Sequence, residues 1–511
     1  MNTDALRKKI LDLAIRGKLV PQDPNDEPAS ALLERIRTEK QQMVKDGKLK
    51  KKDIKNDTVI YVGEDNLHYE KFQDGTVKCI EDEIPFELPE GWAWCRVRDI
   101  SAVKGGKRLP KGTSFSEEKT DHAYIRVTDM KNHSVNIMDL RYISEDTFSV
   151  IKNYTISKDD LYVTIAGTIG VVGEVPALLD GMNLTENAVK ITDIAINKSF
   201  LCIVLQTEFV QQQFQDKTHQ VAMPKLALER ILSTLIPICS SAQQEKIVVK
   251  IRTYDSLLSS IDAERNDLQK TVALTKSKLL DLAIRGQLVQ QDPMDEPASV
   301  LLERIRAEKE ALIKAGKLKR DKRESVIFRG DDNSYYEKVG GRTENISDKL
   351  PFDLPDGWCW ARLKHICMMA SGKSKPSEQI KDKPFEGCYP CFGGNGIRGF
   401  VDEYNQDGTF SIVGRQGALC GNINIASGKF YATEHAVITT IFSEIDFGWS
   451  NYTLDALKLN EYATGAAQPG LSVANVLNVF VPVPPKHEQK HIASTISSAF
   501  SFLAVIEKSL S

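Results

Sequence analysis

The sequence predicts an α+β protein. Two mixed α/β blocks are separated by a pair of long antiparallel coiled-coil helices, arranged as a circularly permuted, pseudo-twofold internal repeat. Three observations predict this. The first is a seam of apolar residues at alternating steps of four and three: Ile247, Ile251, Tyr254, Leu258, Ile261, Arg265, Leu268, Val272, Thr275, Leu279 and Leu282. Nine of these eleven positions are apolar and no Pro or Gly interrupts them, the 3.5-residue period of a stripe that faces a partner helix. At about 1.5 Å per residue the run makes a rod of roughly 50 Å. The second is the same rhythm at the C-terminus, in Ile492, Ile496, Ala499, Leu503, Ile506 and Leu510. The third is a repeat: residues 10–50 and 279–319 are identical at 30 of 41 positions. The chain ends stop within a few residues of each other in this frame. Joined, they rebuild a second full helix, so the cut of the permutation lies inside one of the two rods.

The elements follow in order. Residues 1–55 form an N-terminal helical segment, with a helix over 4–16 that stops at Gly17. A second helix runs over 29–46, opened by Pro28 and carrying Leu32, Leu33, Ile36, Met43 and Val44 on one side. The basic run Lys48, Lys50, Lys51, Lys52, Lys55 and its counterpart near 314–323 read as solvated tails, with contact to a nucleic-acid backbone as the competing reading. Residues 56–91 form a linker that recurs at 326–357: VIYVGEDNLHYEK answers VIFRGDDNSYYEK, and IPFELPEGWAW answers LPFDLPDGWCW. The paired tryptophans are expected to anchor a globular block by packing. Blocks 92–241 and 358–486 alternate short apolar runs with turns, the pattern of mixed, strand-rich domains. A central helical region occupies 242–325, and 487–511 is the C-terminal coiled-coil helix.

Composition narrows the function. Net charge is −3, apolar content 41% and charged content 27%, ordinary for a soluble globular chain. Any nucleic-acid binding therefore needs local basic surfaces or partners that carry the charge. No 18-residue apolar run and no signal-peptide core are present, so a cytoplasmic protein without a membrane span is expected. Nine cysteines are scattered and read as reduced thiols. The single CxxC, Cys388 and Cys391, reads as two small apolar thiols rather than half of a zinc site, for which Cys420 or His435 could be offered. No GxxxxGK[ST] loop is present to cradle ATP phosphates. FGGNG at 392–396 lacks the Asn/Asp-Pro-Pro-aromatic companion of a methyl-donor site.

The interiors of the two blocks share only a skeleton. GTIGVVG at 167–173 is matched with GRQGALCG at 414–421, ENAV at 186–189 with EHAV at 434–437, and IPICSSAQQEKI with VPVPPKHEQKHI. With the doubled LDLAIRG…LLERIR helices, the LPxGWxW entries, GGNGIRG and FYATEHAV, the chain resembles the specificity (S) subunit of type I restriction–modification systems over essentially its whole length. The resemblance implies two target recognition domains, each reading one half of a gapped double-stranded DNA site, with the helix pair as a ruler between them. It implies two partner methyltransferase (M) subunits that use S-adenosylmethionine, ATP-driven restriction (R) subunits that use magnesium, and no catalysis or cofactor in this chain. Two departures stand out: the first exit reads ICSSAQQE where the second keeps VPPKHEQ, and GTIG lacks the Arg-Gln of GRQG.

Reading base edges takes Arg, Lys, Asn, Gln or an acid on a rigid turn, with Gly where backbone must approach the duplex. In the second block the candidates are Asn395, Arg398, Arg415, Gln416, Asn422, Glu434, His435 and Gln468, with Lys373 and Lys375 as a phosphate clamp. In the first they are Lys104, Lys107, Arg108, Arg126, Thr128, Thr168, Glu186, Asn187 and Lys225. The duplicated segments 10–50 and 279–319 suit docking of two identical partners. The rival reading is a non-catalytic adaptor with two protein-binding heads on a spacer.

Overall fold

The computed structural model describes residues 2–215, 225–321, 324–417, 419–465 and 469–510. The chain divides into two compact units, Met1–Ala263 and Glu264–Ser511.

The first unit begins with helices α1 (Thr3–Ile15) and α2 (Ala29–Lys45). The Asn2 side chain caps α1 by accepting from the Ala5 N–H. Gly17 ends it in the left-handed region at φ 64°, where the Lys18 N–H reaches back to the Leu13 carbonyl at 2.9 Å. A Cβ on Gly17 would fall 2.6 Å from Pro89 Cγ, and the Arg16 guanidinium lies 4.2 Å from the Phe86 ring centroid. Gly286 in the second unit repeats this against Pro355 at 2.5 Å, with Arg285 over Phe352 at 4.6 Å. The AIRG stops and the LPxGWxW entries recur together because one packs on the other.

Helix α3, Ser241–Ile284, is 44 residues long and runs from the first unit into the second. In the first unit Ala14 and Ile15 of α1 share a core with Ile247 and Ile251 of α3. Thr3 and Arg7 both donate to Asp262, at 2.8 and 3.0 Å. The early residues of α1 meet the late ones of this stretch, so the two helices are antiparallel. In the second unit α4 (Ala298–Lys314) repeats α2, and α5 (Lys486–Leu510) runs antiparallel to the end of α3. Here Leu280 and Ala283 join Ile492 and Ile496 in one core, and Lys276 Nζ lies 2.7 Å from Glu507 Oε2.

Burial along the seam is uneven. Ile247, Ile251, Leu258, Val272, Ile492 and Ile496 are buried, and Leu279, Leu503 and Ile506 are half-buried. Ile261 and Leu268 are 39% and 42% exposed, against the expectation of a continuous covered stripe. Ile261 stands level with Thr3, where α1 begins. Leu268 lies before Lys276, which meets α5 three residues from that helix's end.

The segments expected to be linkers are folded. Thr58–Val62, His68–Phe72 and Val77–Cys79 make a three-stranded antiparallel meander, and Ser325–Arg329, Tyr335–Val339 and Arg342–Asn345 make another. Each is fastened by one arginine of the following entry strand. Arg96 donates to both carboxylate oxygens of Glu70 at 3.1 and 2.8 Å, to Glu83 at 2.8 Å and to the Ser233 carbonyl at 3.0 Å. Arg362 binds Glu337 in the same way, with Nε donating at 2.6 Å. Trp94 packs on Phe86 and Phe209, Trp360 on Phe352 and Phe480, and both are buried. They are core residues with no face free to stack on a base.

The first globular block holds two four-stranded sheets. One is ordered Val172–Glu174, Leu161–Thr164, Ala188–Thr192, Ala102–Gly105, and the other is built around Ala123–Ile125 and Met182–Leu184. The second block holds a six-stranded sheet whose long hairpin, Gln406–Gly414 with Ile423–Ala432, lies between Ala436–Ile441 and Tyr389–Gly393.

Candidate nucleic-acid interface

Within each block the polar candidates stand on one backbone frame, defined by long-range hydrogen bonds. In the second block the strand Cys367–Ser371 runs into Gly372, whose N–H donates to the Ala436 carbonyl at 3.0 Å. Lys373 N–H donates to the Ala432 carbonyl at 3.0 Å. Gly372 crosses so close that a Cβ there would lie 2.1 Å from the Ala432 oxygen. The strand ending at Gly414 passes into Arg415, whose N–H donates to the His435 carbonyl at 2.9 Å and whose carbonyl accepts from Leu471 at 2.8 Å. Gly414 abuts the Gly394 carbonyl, where a Cβ would lie 2.3 Å away, and so holds the Gly393–Gly396 hairpin turn against the frame.

The result is an open pocket of about 540 Å³ lined by Gly393–Arg398, Gln416, Leu419 and His435. Asn422 donates to Asn395 at 2.9 Å, Arg398 to Ser377 at 2.7 Å, and Arg415 to Ser371 at 3.4 Å. Glu434 Oε1 lies 3.4 Å from His435 Nε2. Glu434 Oε2, His435 Nδ1 and Asn424 Nδ2 are buried atoms with no hydrogen-bond partner. Buried polar atoms are normally satisfied, and these three are not.

The first block repeats the frame. Gly106 N–H donates to Ala188 at 3.1 Å, Lys107 N–H to Leu184 at 2.9 Å, and a Cβ on Gly106 would lie 2.1 Å from the Thr185 oxygen. Ile165 N–H donates to Asn187 at 2.8 Å and its carbonyl accepts from Leu226 at 2.9 Å. By these bonds Ile165 occupies the place of Arg415, and Asn187 that of His435. Gly170 N–H closes on Thr164 at 2.9 Å as Gly421 N–H closes on Gly414 at 2.8 Å. The expected match of GTIG with GRQG is therefore corrected by three residues: the 167–170 turn answers 417–421, and Thr168 stands at its exposed tip.

Four first-block candidates converge. Arg108 Nε donates to Glu186 Oε1 at 2.6 Å, and Lys225 Nζ to the Glu186 carbonyl at 3.3 Å. Lys107 Nζ lies 5.3 Å from the Tyr154 ring centroid. Tyr124 OH donates to the Lys107 carbonyl at 2.7 Å and stands 3.3 Å from Glu186 Oε2, and Thr185 Oγ1 donates to the same oxygen at 3.1 Å. Burial pushes the Glu186 carboxyl up, but the bonds from Arg108 and Thr185 outweigh it and hold the group below the ordinary carboxylate range. Tyr124 and Thr185 were not foreseen. Thr185 immediately precedes the ENAV motif, whereas nothing local marks Tyr124.

Four candidates are engaged elsewhere. Lys375 was expected to clamp phosphate, but its side chain is 8% exposed, lies 2.8 Å from Glu403 and 3.6 Å from Asp402, and covers Tyr431; the bond to Glu403 raises its pKa. Lys373 remains exposed. Arg126 is bound by Asp129, with Nε at 3.0 Å and Nη2 at 2.6 Å, and Thr128 Oγ1 lies 3.5 Å from the same carboxylate. That pair closes the Val127–Asp129 turn rather than facing a ligand. Lys104 lies on a strand and donates to Asp193 at 3.3 Å. Gln468 falls outside the described residues. Among the described residues no group of three or more His, Cys, Asp or Glu is placed to hold a metal, and Cys388 and Cys391 are free thiols.

The family model for the type I restriction modification DNA specificity domain matches residues 89–270 and 355–511, and the chain belongs to this family. It is 29% identical over 434 residues to the type I restriction enzyme EcoAI specificity subunit of Escherichia coli, a match covering 73% of this chain and 64% of that protein. It is 43% identical over 135 residues to the EcoprrI specificity subunit of the same organism, covering 26% of this chain and 34% of that one. A chain in a solved structure on complex assembly and conformational transition of the type I R-M system shares the fold. Its TM-score is 0.56 at 17% identity, over 83% of this chain and 94% of that one. The chain spans about two thirds of the length of the curated relatives, 64% for both EcoAI and EcoEI.

Proposed function

We propose that this chain is the sequence-reading subunit of a type I restriction–modification complex, that it reads a bipartite, gapped double-stranded DNA site, and that it catalyses nothing itself. One observation carries the reading. The frame set by Gly106, Lys107 and Ile165 recurs at Gly372, Lys373 and Arg415, while the side chains it presents differ. A constant scaffold with different polar side chains is what two readers of two different half-sites require. Exposed Lys107 and Lys373, one on each frame, suit phosphate contacts that set register, and the net charge of −3 leaves the remaining positive surface to partners.

The partners are two methyltransferase subunits docked on the duplicated helical segments and restriction subunits joined to them. S-adenosylmethionine, ATP and magnesium belong to those subunits. The rods act as the ruler between the half-sites. No helix among the described residues is long and apolar enough to cross a membrane, and a DNA reader works in the cytoplasm. An adaptor with two protein-binding heads would show no gapped DNA preference. Exchanging residues 92–241 for the corresponding block of a relative is expected to change one half of the methylated motif and leave the other half and the gap intact. A change in both halves refutes the modular reading.

A further inference from the structure

The repeated frame places a glutamate at the same point in both blocks and gives it opposite surroundings. Glu186 and Glu434 each stand two residues before the strand that follows, Ala188–Thr192 and Ala436–Ile441. Glu186 accepts from Arg108 at one oxygen and from Thr185 at the other. The surface it leaves to a ligand is the guanidinium of Arg108, 79% exposed and fixed in direction by the 2.6 Å bond through Nε. In the second block Ser374 follows Gly372 by two residues as Arg108 follows Gly106, so the guanidinium that braces Glu186 has no counterpart at that position. The Glu434 side chain is 35% exposed, its Oε2 is buried without a hydrogen-bond partner, and the adjoining His435 lines the open pocket. A desolvated carboxylate oxygen without a donor is costly, and the cost is relieved when a donor arrives.

We infer that the two half-sites are read with opposite polarity at this corresponding place: Arg108, braced by Glu186, donates to a guanine, and Glu434 accepts from the exocyclic amino group of cytosine or adenine. The inference rests on the proposed DNA reading and extends it to base class. In the major groove guanine offers O6 and N7, the bidentate target of a guanidinium. Guanine and thymine offer a carboxylate no donor there, whereas cytosine N4 and adenine N6 do. Glu186 is a positioning residue in this scheme and Arg108 the contacting one.

The test uses the full chain in complex with its methyltransferase partner. Binding is measured to duplexes in which each half-site position carries each base in turn. Glu434→Ala, which removes the acceptor, is expected to lose a roughly 10- to 100-fold preference for cytosine or adenine at one position of one half-site, with the other half unchanged. Arg108→Ala is expected to lose a guanine preference of similar size in the other half only. Ser374→Arg supplies the missing guanidinium and is expected to turn the amino-base preference toward guanine, a gain that a misfolded variant cannot produce. The inference is overturned if the wild-type complex binds a two-part site whose preferences survive both Glu434→Ala and Arg108→Ala, or if the position governed by Glu434 selects guanine or thymine. A wild-type complex with no two-part site at all fails at the earlier step and removes the DNA reading itself.

Discussion

Arg96→Ala is expected to cost the first unit about 3–5 kcal/mol, the usual penalty for leaving one partner of a buried ion pair uncompensated. The Arg96 and Glu70 side chains are 8% and 6% exposed, and Glu70 is bound through both oxygens. Without the guanidinium, the Glu70 carboxylate is stranded between the Thr58–Cys79 meander and the entry strand, and the Ser233 carbonyl loses its donor. Denaturant unfolding should show the lower stability, and hydrogen exchange should place the loosening in residues 58–79. The double variant Arg96→Met, Glu70→Leu should recover much of the loss, because two apolar side chains carry no unpaired charge. Unchanged stability in Arg96→Ala would mean that the meander is held by other contacts.

Gly372→Ala is expected to cost about 3 kcal/mol or more and to abolish reading by the second block. The added Cβ would lie 2.1 Å from the Ala432 oxygen and 2.5 Å from that of Thr433, and backbone on backbone has no rotamer through which to escape. Relief requires the Ser371–Lys373 crossing to lift. That breaks the bonds from Gly372 to Ala436 and from Lys373 to Ala432 and displaces Lys373 from the frame. Gly106→Ala should do the same to the first block. Each variant should lower the melting temperature and weaken specific DNA binding at least tenfold, with base preferences lost in one half-site only. Ala tolerated at both positions with full discrimination would show that the crossing does not position the reading surface.

Local features were legible in the sequence and long-range pairings were not. The first two helices fall within a residue of the expected 4–16 and 29–46, because caps, Gly17 and the apolar spacing are local signals. The meanders were hidden because their last strands, Val77–Cys79 and Arg342–Asn345, are fully exposed and carry no clean alternation of apolar and polar residues. The three-residue error over GTIG arose because both segments are glycine-bounded turns. Only the bonds from Ile165 to Asn187 and from Arg415 to His435, each twenty or more residues away in sequence, set the register. The ion pairs of Lys375 were not legible because its partners Asp402 and Glu403 lie in a loop distant in sequence, after the strand Gly396–Val401. Arg126 could have been set aside from sequence, since an acid three residues on is the spacing of a closed turn. The exposed middle of the seam has a similar origin: a heptad count cannot tell where a partner helix ends.

The central claim is that one chain with two readers on a common frame selects a two-part DNA site. It is tested most directly by mapping methylated adenines across the genome of cells carrying this chain with its methyltransferase partner, against cells with the partner alone. A gapped, two-part motif that is methylated only when the chain is present is the predicted result, with one half lost in Gly106→Ala and the other in Gly372→Ala. A contiguous motif, or no new motif with both proteins present, would contradict it.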